Sequence, residues 1–282
     1  MRRAASETGW GWDGLRVRWA FDGYPPRVTG SGGTPMEAEF DTVAGWTEEV
    51  VVRLGPEYAI PAGCRGSASP AGLGWLIRTC GIGPGTRLVD VGGGVGGPAG
   101  YAVRHTGAAP VVVDPMLAAC RAASRLFGIP AVAGTGERLP IADGAADAVW
   151  CLGVVCTVRD KRGLFREIHR VLRAGGPLGL LVVVGDEERP AGAPEGNTFP
   201  TDDGLRDLLR DSGFRIDAQT DLDDLPVPPA DWAARTAEFD RALRADHGDD
   251  PRFVEAQDQS RRLSTLARDG HVVARLLHAV AR

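Results

Sequence analysis

The stretch from Arg87 to Asp114 constrains this chain more than any other. Residues 88–91 are a short apolar, β-branched run, the pattern of a strand buried on both faces. The run passes into Gly92-Gly93-Gly94-Val95-Gly96-Gly97, where Gly92, Gly94, Gly96 and Gly97 offer no Cβ to hold a ligand away. Pro98 suits the first turn of a helix that continues to His105. A second apolar run, residues 111–113, ends in Asp114. Strand, glycine loop, helix, strand and acid, in that order, are the layout of a nucleotide-binding βαβ unit. Asp114 can accept hydrogen bonds from both hydroxyls of a ribose. The alternative is a tight strand–helix turn that binds nothing. The acids at Asp90 and Asp114, on either side of five small residues in six, argue against it.

The rest of the chain repeats the alternation. Residues 71–81 and 117–127 read as helices, 130–133 as a third strand and 147–152 as a fourth. An amphipathic helix over 161–172 leads through Gly175-Gly176-Pro177 into a continuously apolar strand at 178–184. A helix at 202–213 and strands at 214–216 and 272–280 follow. Such alternation predicts a Rossmann-like, doubly wound α/β fold. Charged, helical residues between the last two strands (Trp232, Phe239, Leu243, Phe253, Leu263, Leu266) read as an inserted helical cap. The domain reading is an N-terminal extension and lid over 1–60, a Rossmann-like core over 61–225, the cap over 226–270, and a final core strand over 271–282.

Before the core, residues 36–53 have helical spacing, with Phe40, Val43, Ala44 and Val50 on one face. Residues 57–70 look too polar and glycine-rich for a core element, yet they hold Tyr58, Arg65, Ser67 and Ser69. This loop either folds over a bound ligand or simply connects, with Ser69 capping the helix at Pro70. Trp10, Trp12, Trp19, Phe21 and Tyr24 crowd the first residues, where Leu15, Val17, Trp19 and Phe21 alternate as in a strand. A small packed hairpin is the plainer reading; an edge for a homodimer, a partner protein or a substrate lid is the sharper one.

Composition narrows the function. The chain has 282 residues, 32 basic and 37 acidic, and a net charge of −5, so it carries no basic nucleic-acid footprint. Lys161 is the single lysine; the arginine bias, with abundant alanine, glycine and proline, suggests a GC-rich, bacterial genome. Five cysteines without metal-ligand spacing read as reduced thiols in a cytoplasmic protein with no metal site. No apolar run reaches membrane length.

Five motifs in order give a resemblance. Residues 90–97 carry D-x-G-x-G-x-G, Asp114 ends the second strand, Glu137-Arg138-Leu139-Pro140 reads E-x-L-P, Asp147-Ala148-Val149-Trp150 enters the fourth strand, and residues 170–176 read R-V-L-x-x-G-G. Residues 84–185 thereby resemble class I S-adenosylmethionine-dependent methyltransferases, particularly those acting on small molecules. The resemblance implies a seven-stranded, mostly parallel sheet with one antiparallel strand. It also implies S-adenosyl-L-methionine as cofactor, held by Asp90, Gly92, Gly94, Gly96, Asp114, Pro115, Thr135, Gly136, Glu137, Cys151 and Leu152. It implies a small-molecule, secondary-metabolite substrate of the kind met in antibiotic biosynthesis.

Two departures matter. Relatives carry an acid for the adenine amino group where Thr135 stands, and a Glu and a His near Gly153 and Thr157. No general base is therefore offered after the fourth strand. Glu187 (with Asp186, Glu188 and Glu195 beside it), Asn197, Tyr58 and Arg65 are the candidate catalytic groups. A fold repurposed for ring closure or elimination is the alternative, as is a non-enzymatic subunit.

Overall fold

The computed structural model describes residues 35–282, with side chains from Phe40 onward. In chain order the elements are α1 (Pro35–Leu54), α2 (Ala59–Gly63), α3 (Pro70–Thr79), β1 (Arg87–Val91), α4 (Gly97–Thr106), β2 (Ala109–Asp114), α5 (Leu117–Phe127), β3 (Ala131–Ala133) and β4 (Ala148–Leu152). Then come α6 (Lys161–Val171), β5 (Pro177–Gly185), α7 (Asp202–Asp211), β6 (Phe214–Asp221), α8 (Ala230–His247), α9 (Pro251–Arg268) and β7 (Val272–Ala281). The aromatic stretch before Pro35, and the hairpin or partner edge expected of it, lie outside the described residues.

The seven strands form one sheet in the order β3-β2-β1-β4-β5-β7-β6, and only β7 runs antiparallel to its neighbours. β2 and β4 are buried along their whole length, which is why they read as unbroken apolar runs. One apolar layer lies under α6 and α7, around Phe165, Ile168 and Leu209; the other lies under α3, around Leu73, Leu76 and Trp150. The order turns back between β1 and β4. In open α/β sheets that reversal opens a crevice beyond the carboxyl ends of the two strands.

Two elements differ from the sequence reading. β6 runs five residues further than expected, to Asp221. It is an edge strand with Arg215, Asp217 and Gln219 turned to solvent, so it lacks the apolar run that betrays a buried strand. The segment read as too polar for the core is partly a core element: Ala59, Ile60, Pro61, Ala62 and Cys64 are all buried. Its Pro and Gly punctuate a one-turn helix rather than a loop. Ser69 does cap α3, its hydroxyl accepting from the Gly72 amide.

The helices outside the sheet form one lobe. Trp46, Val50 and Val51 of α1, Ala59 and Ala62 of α2, Phe239 and Leu243 of α8 and Phe253 of α9 share a single apolar core. Trp46 stacks on His247 at 4.3 Å and lies beneath the Arg252 guanidinium at 5.3 Å. The N-terminal helix and the inserted cap, more than 170 positions apart in sequence, are thus one structural unit. α1 also fastens this lobe to the sheet domain. Asp41 accepts a hydrogen bond from the Ala118 amide at 2.8 Å, serving α5 as a cap from outside because Met116, at the N-cap position, offers none. Glu48 pairs with Arg125 at 2.6 Å.

Candidate functional site

The site is built at the β1/β4 reversal from four loops. The first is the glycine loop. Gly92, Gly94 and Gly96 all have positive φ (66°, 55° and 86°), a region that side chains with a Cβ rarely adopt. Their surroundings separate them. A Cβ on Gly92 would strike Val154 of the loop after β4, one on Gly96 would press Ala123 of α5 at 3.0 Å, and one on Gly97 would enter the backbone of Gly63 in α2. Only Gly94 of these four faces open space. The expectation that all four clear room for a ligand is corrected accordingly. Three let the protein's own segments pack closely, and Gly94 leaves room outside the protein.

The second loop holds Asp114. It is buried, and its two carboxylate oxygens accept separately, Oδ2 from the Gly94 amide and Oδ1 from the Met116 amide, each at 2.9 Å. Each oxygen keeps a free lone pair, so the clamped carboxylate can accept two further hydrogen bonds side by side. Burial raises its pKa and the two amides pull it back. Next to it Pro115 is exposed.

Asp90 lies deeper, beneath the loop. Its side chain is buried, within 3 Å of where a Gly93 Cβ would sit, and neither oxygen has a hydrogen-bond partner. Desolvation first, then the nearby Asp114 charge, push its pKa up to about 7, and the facing Ala99 amide offsets them only in part. An orphaned buried carboxylate is costly. A cation placed over the glycine loop would relieve it.

The third loop follows β3. Thr135 and Glu137 are exposed, and Gly136 packs against Leu164 so closely that a Cβ there would meet it at 2.6 Å. The fourth follows β4. Cys151 and Leu152 are buried, with Cys151 turned into the layer under α6 and its thiol held protonated by desolvation, so only their backbones can reach a ligand. Trp150, weighed as an adenine-side wall, is fully buried in the opposite layer.

The expected catalytic groups make their bonds in two places. The Tyr58 hydroxyl bonds Glu238 at 2.6 Å and Arg65 pairs with Asp240 at 3.1 Å, so both turn toward α8. Glu187 is exposed on the loop after β5, and Asn197 on the same loop bonds the Glu195 carbonyl. No hydrogen bond or ion pair joins the two groups of residues among those described. What sequence reasoning missed is Lys161: its ammonium is half-buried and bonds the Val158 carbonyl at 2.8 Å and Thr198 at 2.6 Å. It ties the loop after β4 to the loop after β5. The signal was its being the sole lysine.

This architecture, with its β7 reversal and its acid-ended second strand, is the Rossmann-like fold of class I S-adenosylmethionine-dependent methyltransferases. Residues 89–180 match the model of the methyltransferase domain family, and that segment is such a domain. Over 178 residues the chain is 28% identical to the sterol 24-C-methyltransferase erg6 of Schizosaccharomyces pombe, covering 56% of this chain and 47% of that protein. The chain thus spans about half the length of the curated relatives it matches. Among solved structures it is similar to the [4+2]-cyclase SpnF, with a TM-score of 0.57 and 23% identity over 74% of this chain and 80% of that one. It is likewise similar to geranyl diphosphate C-methyltransferase from Streptomyces coelicolor, with a TM-score of 0.56 and 20% identity over 75% and 76% of the two chains. These two likenesses concern the fold. Among the described residues no cluster of His, Cys, Asp and Glu could hold a metal ion, and no helix is long and apolar enough to cross a membrane.

Proposed function

We propose that this chain is an S-adenosyl-L-methionine-dependent methyltransferase acting on a small-molecule acceptor, a secondary metabolite. One observation carries the reading: a buried carboxylate, Asp114, is clamped by the Gly94 and Met116 amides beside the one loop glycine that faces open space. That arrangement suits a vicinal diol approaching the backbone closely, and the orphaned Asp90 beneath it suits a ligand of positive charge. The chain's residues therefore fit the cofactor. Asp114 would hold its sugar, with Pro115, Thr135, Gly136 and Glu137 flanking the base and the backbones of Cys151 and Leu152 below. When bound, the cofactor supplies a methyl group already activated on a sulfonium. The protein's part is to bind, orient and exclude water. The helical lobe seated on α5 through Asp41 and Glu48 contributes the cover.

One observation favours a second reading. Residues 153–159, after β4, include no acid and no imidazole, and the Thr157 hydroxyl is occupied by the Val154 carbonyl at 2.8 Å. The exposed acids after β5, Glu187 with Asp186, Glu188 and Glu195, are the base candidates that remain. If no proton needs to be removed, the same pocket serves a ring closure in which the cofactor is not consumed. Purified protein incubated with S-adenosylmethionine and a panel of small-molecule acceptors separates the two. Acceptor-dependent release of S-adenosylhomocysteine is expected. Tight cofactor binding with a rearranged, unmethylated product would establish the second reading instead.

A further inference from the structure

The segment after β5, residues 186–201, has no helix or strand, and it carries the acids Asp186, Glu187, Glu188 and Glu195. It is nevertheless fastened at several points. The Gly185 amide donates to the Pro200 carbonyl at 3.1 Å and the Phe199 amide to the Glu188 carbonyl at 2.9 Å, so the two arms of the loop pair at its neck. Phe199 itself is buried in the layer under α6 and α7. The Glu195 amide donates to Gln259 of α9 at 2.9 Å and ties the loop to the helical lobe. A further tie, at Thr198, faces the loop after β4. The Thr198 amide donates to the Cys156 carbonyl at 2.9 Å, and its hydroxyl accepts from Lys161 Nζ at 2.6 Å. The first of these bonds is backbone alone, which many sequences could make. The second depends on two side chains remote from each other in the sequence.

Lysine is a costly choice at such a junction, because a half-buried ammonium loses hydration. Both of its bonds go to uncharged oxygens, the Thr198 hydroxyl and the Val158 carbonyl. Burial lowers its pKa, and Glu188, on the loop it holds, is among the groups that offset this. What the charge adds is strength: a bond from an ionised donor is shorter and stronger than one between neutral groups. Position adds the rest. Lys161 opens α6, whose start is fixed by Asp160 accepting from the Gly163 amide at 2.8 Å. Leu164, three residues on, lies 2.6 Å from where a Cβ on Gly136 would sit, in the loop after β3. One turn of α6 thus touches both a loop assigned to the cofactor and the acid-bearing loop. Resting on the methyltransferase reading above, we propose that Lys161 is a positioning residue for the transfer: through Thr198 it sets the acid-bearing loop against the loop after β4, so that the acids stand at a fixed place beside the acceptor.

The test uses the full chain, wild type and the variants Lys161→Met, Thr198→Val, Thr198→Ser and the Met/Val double. Amide hydrogen exchange over residues 186–199 needs no acceptor. It should be about ten-fold faster in Lys161→Met and Thr198→Val, the opening that loss of one charge-assisted bond allows. The double variant should be no worse than either single one, since all three lack the same bond. Thr198→Ser, which keeps the hydroxyl, should restore wild-type exchange. With an acceptor from the panel above, release of S-adenosylhomocysteine should fall about ten-fold in the same two single variants, the cost of misplaced groups, and recover in Thr198→Ser. Calorimetric affinity for S-adenosylmethionine should stay at the wild-type value throughout, a split that a general loss of folding would not produce. Exchange rates unchanged in both single variants, faster exchange with turnover unchanged, or Thr198→Ser behaving like Thr198→Val would overturn the positioning role. Failure of the wild-type protein to bind S-adenosylmethionine would instead overturn the function on which it rests, so the two failures are distinguishable.

Discussion

Three carboxylates close to one another, Asp90, Asp114 and Asp41, have different fates because their partners differ. Asp41 caps α5, and Asp114 is held by two amides and open to more. Asp90 has no partner, and its proton affinity is raised to a pKa of about 7. Between about pH 4 and 7 the folded protein keeps a proton that an unfolded aspartate has released. The contribution of Asp90 is thus full in acid and declines as pH rises through that window. Asp90→Asn removes the effect. Urea unfolding should show the variant gaining on the wild type from pH 5 to pH 8, by on the order of 2–3 kcal/mol. A difference that stays flat across pH would contradict the burial argument. At the same scale, Thr135→Asp should tighten S-adenosylmethionine binding in calorimetry if the adenine lies beside Thr135. No change would move the adenine elsewhere.

At the scale of elements, the glycine loop is held from outside as much as it holds a ligand. α2 and α4 touch backbone to backbone at Gly63 and Gly97. Gly97→Ala should therefore cost about 1–3 kcal/mol in chemical denaturation, as overpacking does, although alanine is the better helix former. Stability equal to wild type would mean that α2 can move aside. The elements legible in the sequence were those whose burial is uniform. β2, β4 and β5 are covered on both faces and read as continuous apolar runs, and α5 and α6 have clear stripes. Asp114 and the glycine loop were legible because a strand–loop–strand unit fixes their relative positions locally. The end of β6 was not, because an edge strand pairs through its backbone while its side chains stay polar. α2 was not, because one turn is too short for a period to show. Nor could the sequence tell Gly94 from its neighbours, since that depends on Val154, Ala123 and Gly63, residues remote in the chain.

The described residues form a sheet domain and a helical lobe joined through α1 and α5. The lobe draws on the start of the described chain and on residues 230–268, and only three-dimensional packing shows that Trp46 belongs with His247 and Arg252. Trp46→Ala should lower stability by about 3–5 kcal/mol, and the loss should appear in a denaturation curve. A near-neutral effect would mean that the lobe is not held by this core. The sheet domain presents a clamped carboxylate and an open glycine, and the lobe is fastened to it through Asp41 and Glu48. The account rests on Asp114 gripping the sugar of an adenosyl ligand. Calorimetric titration of S-adenosylmethionine into wild-type and Asp114→Ala protein tests it most directly. Wild-type binding that weakens by about 1.5–3 kcal/mol in the variant, the worth of charge-assisted hydrogen bonds, is the expected result. Equal affinity in the two proteins would contradict it.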